Sequence, residues 1–142
     1  MSYLADTTLF IDYYRKVPKA KEYIDKLRQR KISISISVIT ESEIWVGIKN
    51  DEEMLYWEAL LSFITKIPVN SEIAREAGVL YRRYGHYMGK VHPNDLRHLP
   101  DALIAATAKI TGKKLITSNY SHFKQLEWDG HISCESYSKH QI

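Results

Sequence analysis

The chain has 142 residues, of which 44% are hydrophobic and 26% charged, and a formal net charge of +3. That length and apolar fraction exclude a disordered chain and fit one domain, residues 1–142, with a real core. A lone cysteine, Cys134, excludes an intramolecular disulfide framework, and no apolar run approaches the roughly 18–20 residues of a membrane span.

The predicted elements alternate strand and helix. Residues 3–5 read as a short first strand, 7–14 as a helix, and 19–30 as a second helix entered at Pro18. Residues 32–38 alternate Ile and Ser with period two, which predicts a strand with one buried face. Thr40 opens a helix with apolar positions at Ile44, Trp45 and Ile48, and residues 52–64 form another. Residues 66–69 are a short strand that Pro68 confines to an edge or a terminus. Ser71 caps a helix carrying Ile73, Ala74, Ala77, Leu80, Tyr81 and Tyr84. Pro100 starts an apolar helix through residue 110 that Gly112 ends. Residues 114–117 form a strand and 120–126 a short helix. The first residues lack a basic and apolar leader pattern, so an unprocessed cytoplasmic protein is expected.

This alternation predicts an α/β fold with a mostly parallel central sheet flanked by helices. In such sheets the ligand site lies beyond the carboxyl ends of the strands. Asp6 leaves the first strand there. Glu43 follows the second, Asp101 sits in the first turn of the Pro100 helix, and Asn119 leaves the strand that ends at Thr117. Each also has a purely structural reading. Asp6 and Asn119 suit N-caps, Glu43 completes a Thr40-x-x-Glu43 capping box, and Asp101 complements a helix dipole. All four nevertheless fall on one edge. Clustered carboxylates raise each other's pKa unless a cation joins them, and hard oxygen donors suit Mg²⁺ or Mn²⁺. These residues point to a metal-dependent hydrolase of phosphodiesters or phosphomonoesters.

Four segments in order resemble the PIN-domain ribonucleases, specifically the VapC-type toxins of toxin–antitoxin pairs. They are residues 4–12 (LADTTLFID), 36–47 (ISVITESEIWVG), 100–108 (PDALIAATA) and 115–123 (LITSNYSHF). The resemblance implies Asp6, Glu43 and Asp101 as metal-site carboxylates binding Mg²⁺ or Mn²⁺, with Asn119 completing the catalytic set where many relatives carry Asp. Thr7 and Thr117 assist. It also implies hydrolysis of an RNA phosphodiester by in-line attack of water, a cognate antitoxin protein that blocks the acidic groove, and a homodimer. Eight bases against two acids between residues 15 and 31 make this segment a candidate RNA-contacting surface, with Arg15, Lys16 and the separate His122 as contacts.

Other features carry less. Asp12 faces a different side of its helix from Asp6 and reads as solvated or capping. His86, His92 and His98 recur every six residues, which is not the spacing of helical zinc ligands. The tyrosines at helical spacings read as core or dimer packing, and Cys134 has no partner base. Two rival readings stay open: a non-catalytic RNA-binding module, and a partner-sequestering one. A small-molecule phosphatase is disfavoured because Asp6-Thr7-Thr8 lacks a paired Asp-x-Asp.

Overall fold

The computed structural model describes residues 1–140. Five strands form one all-parallel sheet in the order β3-β2-β1-β4-β5: β1 (Ser2–Ala5), β2 (Ser33–Ser37), β3 (Thr65–Ile67), β4 (Lys114–Thr117) and β5 (Cys134–Ser136). Among the described residues seven α-helices cover it: α1 (Thr7–Tyr14), α2 (Pro18–Arg28), α3 (Val38–Val46), α4 (Asp51–Leu61), α5 (Ser71–Tyr84), α6 (Leu99–Thr111) and α7 (Lys124–Trp128). Among the described residues no helix is long and apolar enough to cross a membrane.

The pleat divides the core. Tyr3 and Ala5 of β1, Ile34 and Ile36 of β2 and Ile116 of β4 face α1, α2 and α4, meeting Leu9, Phe10, Ile24, Trp57 and Leu60. Leu4 and Leu115 point to the other face, against Ala77 and Leu80 of α5 and Ile104 and Ala105 of α6. Each fully buried Leu or Ile among these contributes roughly 1.5–3 kcal/mol.

The serines of β2 depart from expectation. Ser35 and Ser37 are buried like the isoleucines beside them, because helices cover both faces of a parallel sheet. The strand 32–38 therefore has two buried faces, not one. β3 lies at the sheet edge and covers Thr65–Ile67, not 66–69: the strand stops just before Pro68, which has no N–H to donate to a ladder. α5 is capped one residue earlier than expected, by Asn70, whose Oδ1 accepts from the Ile73 N–H at 2.8 Å. β5 was not expected: its three residues carry no apolar alternation, and the pairing of Cys134 with Leu115 defines it.

Topology positions the site. From β1 the chain moves outward on one side through β2 and β3, then returns to lay β4 on the other side of β1. The crevice between β1 and β4 is thus the switch point, where open parallel sheets hold ligands at their carboxyl ends. Asp6 and Thr117 leave these two strands side by side, with the Asp6 N–H on the Ile116 carbonyl at 2.9 Å.

Candidate active site

Asp6 is both a cap and a site residue. It is 3% exposed, and its extended backbone ends β1 while its Oδ1 accepts the Thr7 N–H at 2.8 Å to start α1. Its Oδ2 accepts from Thr117 Oγ1 at 2.8 Å and Thr8 Oγ1 at 3.1 Å. Burial nonetheless pushes the carboxyl up to about 6; the hydroxyls pull it down, and the charge of Asp101 pushes it further up.

Glu43 does not form the capping box. α3 begins at Val38 and is capped by Ser37, whose Oγ accepts the Ile39 N–H at 3.1 Å, so Thr40 lies inside the helix. The carboxylate instead accepts from Thr7 Oγ1 at 2.7 Å, and Thr7 Oγ1 also lies 3.2 Å from the buried Thr40 hydroxyl. Although Glu43 as a residue is exposed, desolvation of its carboxyl raises its pKa, with Thr7 opposing and Asp101 adding. Asp6 and Glu43 thus both sense the charge of Asp101.

Asp101 sits in the first turn of α6 and its Oδ2 lies 2.8 Å from His122 Nδ1. The same nitrogen is 3.0 Å from Asn119 Nδ2. One ring nitrogen serves one partner at a time: as N–H it donates to the carboxylate, as a lone pair it accepts from the carboxamide. Asn119 occupies an N-cap position before the 3₁₀ turn Tyr120–His122 but makes no side-chain cap bond; its side chain is turned to His122 instead. Its backbone N–H donates to Thr117 Oγ1 at 2.9 Å.

The expected residues therefore gather on one edge, each acid with its own partner: Thr117 and Thr8 for Asp6, Thr7 for Glu43, His122 for Asp101. His122, expected as an RNA contact, is paired with a carboxylate. The basic segment divides. Arg15 lines a groove of about 660 Å³ with Thr7, Glu43, Phe10, Ile11 and Val46. Lys16 lines a neighbouring hollow with Tyr13, Tyr14 and Tyr56. Lys19 and Lys26 pair with Glu22, and Lys21 with Asp25. Arg30 and Lys31 line a hollow with Ser2 and Ser33, at the opposite end of the sheet from Asp6.

One expectation is overturned. Asp12 is not solvated: it is 1% exposed, and Ser118 Oγ and Tyr137 OH both donate to its Oδ2 at 2.6 Å. It does face away from Asp6, but that side of α1 is covered by the exits of β4 and β5. The available signal was its i, i+4 spacing from Thr8, which puts both on one helix face.

The donor chemistry fits a hard divalent cation: oxygen donors only, two of the carboxyls displaced upward by burial with the charge of Asp101 adding to it. Among the described residues no three His, Cys, Asp or Glu side chains form a metal-holding group. One or two carboxylates are what a Mg²⁺-class ion takes when water and phosphate complete its shell.

Known proteins resemble this chain in sequence and in fold. Residues 3–128 match the PIN domain family. Ribonuclease VapC10 of Mycobacterium tuberculosis is 32% identical over 124 residues, 87% of each chain. Ribonuclease VapC19 of the same organism is 32% identical over 120 residues, 84% of this chain and 90% of that one. Among solved structures, a toxin–antitoxin complex from Klebsiella pneumoniae is 27% identical with a TM-score of 0.71, covering 99% of both chains. VapBC2 from Rickettsia felis, bound to a promoter DNA fragment, shares the fold at 21% identity with a TM-score of 0.73, covering 97% of this chain and 100% of that one.

Proposed function

The chain belongs to the PIN domain family, and we propose that it acts as a divalent-metal-dependent endoribonuclease, the toxin half of a toxin–antitoxin pair, with its catalytic centre at Asp6, Glu43 and Asp101. What supports this site is placement: Asp6 leaves β1, Glu43 lies in α3 and Asp101 in the first turn of α6, near enough that the charge of Asp101 adds to the burial that raises the other two carboxyls.

Asp6, Asp101 and Glu43 are the residues that would hold Mg²⁺ or Mn²⁺, one or two of them as direct ligands with water and phosphate completing the shell. A cation held there neutralises charge growing on a phosphate and lowers the pKa of a bound water. The chain's own groups do the rest. Thr117 and Thr8 keep Asp6 ionised and oriented despite its burial. Thr7 fixes Glu43. His122 holds Asp101, and Asn119 stands beside His122 as a neutral carboxamide, so the site carries one negative charge fewer than a four-acid site. Arg15 supplies a phosphate contact from the groove wall.

The groove of Phe10, Ile11, Tyr14 and Val46 beside Glu43 gives the antitoxin an apolar seat that closes the acids to RNA. The protein is a cytoplasmic homodimer in this reading, and residues 1–142 make up one domain. It is tested by freeing the protein of any partner and incubating it with single-stranded and structured RNA in Mn²⁺, Mg²⁺ or EDTA, beside Asp101→Asn. Cleavage by the wild type alone, abolished by EDTA, is expected. RNA binding in EDTA with no cleavage in any metal would overturn it in favour of a non-catalytic RNA-binding module.

A further inference from the structure

Asp12 is a buried carboxylate with no part in the chemistry above. We propose that it is a positioning residue: through Ser118 it holds residues 117–119 against α1 and thereby sets Thr117 and Asn119 in the site. This rests on the proposed nuclease reading for its consequence, though not for its geometry.

Burying a carboxylate is costly, and an apolar pair of the same volume would tie α1 to the sheet at less expense. What a carboxylate adds is direction. Ser118 Oγ and Tyr137 OH converge on a single oxygen at 2.6 Å each, the short distance of charge-assisted bonds. The other oxygen has Lys139 Nζ at 4.0 Å.

Ser118 is gripped at two points one helical turn apart. Its backbone N–H donates to Thr8 Oγ1 at 3.3 Å, and its hydroxyl to Asp12. Thr8 and Asp12 form one face of α1, and that face clamps the residue between the two site residues Thr117 and Asn119. Thr117 in turn donates to Asp6, and Asn119 reaches His122. A shift of Ser118 would therefore move a partner of Asp6 and a partner of His122 together. Tyr137 leads away from the site, toward the end of β5, and its loss separates anchoring of that end from positioning of the loop.

The test compares full-length wild type with Asp12→Asn, Ser118→Ala, their double variant and Tyr137→Phe. Asp12→Asn keeps the volume, and if it fails to fold Ser118→Ala carries the test alone. Each is measured for RNA kcat and KM, Mn²⁺ affinity by calorimetry, Tm, and the amide resonances of Thr117 and Asn119. Asp12→Asn and Ser118→Ala should lower kcat and Mn²⁺ affinity roughly 10–100-fold, as supporting hydrogen bonds to metal sites do, with KM little changed. The double variant should be no worse than the worse single one, and Tyr137→Phe should lower Tm alone. A lowered Tm with kcat, Mn²⁺ affinity and both resonances unchanged would overturn the proposal, as would losses that multiply in the double variant. If wild type neither cleaves RNA nor binds Mn²⁺, the nuclease reading falls separately. The Thr117 and Asn119 resonances then decide: moved in Asp12→Asn they sustain the positioning role, and unmoved they end it.

Discussion

Thr117 donates its hydroxyl to Asp6 at 2.8 Å while accepting the backbone N–H of Asn119 at 2.9 Å, so one fully buried oxygen joins the ends of two adjacent strands to the site. Thr117→Val keeps the branched shape and removes both bonds. Asp6 loses the hydrogen bond that most lowers its pKa, and the Asn119 N–H is left without its acceptor. We expect roughly tenfold weaker Mn²⁺ binding and a comparable fall in kcat with KM little changed, read by calorimetry and single-turnover cleavage. Unchanged Mn²⁺ affinity would show that this bond does not orient the site.

The same carboxyl predicts how stability depends on pH. Asp6 has a folded-state value of about 6, above the ordinary value near 4. Between these two values the folded state binds more protons than the unfolded one, so stability falls as pH rises through about 4 to 6. The displacement is worth about 3 kcal/mol at most. Asp6→Asn removes it, so this variant should lose RNA cleavage yet be more stable than wild type at pH 7.5 in EDTA. A cation supplies the missing counter-charge, so Mn²⁺ should raise the wild-type Tm more at pH 7.5 than at pH 5. Melting curves with and without EDTA check both; an Asp6→Asn variant less stable than wild type at pH 7.5 would refute the account.

His122 Nδ1 lies 2.8 Å from Asp101 Oδ2, so its predicted role is to act through that carboxylate. His122→Ala frees Asp101 to rotate and removes the Asn119 partner while leaving the core residue Phe123 in place. The expected result is a fall in kcat of roughly 10–100-fold with RNA binding in EDTA within about twofold of wild type. Loss of RNA binding with kcat preserved would restore the role of a direct contact.

Much of the candidate site was legible in sequence because strand exits in a parallel sheet are predictable from alternation: Asp6 and Asn119 follow strands directly and Glu43 lies in the helix after β2, whereas Asp101 was marked by its place in the first turn of α6 and by the resemblance. The pairings were not. Glu43 satisfied a capping-box spacing, yet α3 starts two residues before Thr40, and this leaves its carboxylate free to meet Thr7 from a different element. Asp12 and Ser118 are 106 residues apart, and their bond exists only because β4 lies beside β1. β5 was missed for the same reason: a three-residue edge strand without alternation is defined by its neighbour, not by its own pattern. Ser35 and Ser37 misled because strand periodicity reports one buried face, whereas helices here cover two.

The division of the basic segment between residues 15 and 31 makes the last prediction. Arg15 lines the groove that reaches Glu43, whereas Lys26 is 46% exposed and paired with Glu22 on the outer face of α2. A surface ion pair of that kind contributes little to stability, so removing it leaves the fold intact. If RNA follows the groove to the acids, Arg15→Ala removes a phosphate contact and Lys26→Ala does not. Arg15→Ala should weaken RNA binding about equally across sequences and flatten the dependence of log affinity on log salt by roughly 0.7 for single-stranded RNA. Lys26→Ala should leave that slope unchanged. Titrations in EDTA over a range of salt separate the two, since they report binding without cleavage. Equal slopes for both variants would mean that RNA crosses the whole face of α2 and that the groove is not its path.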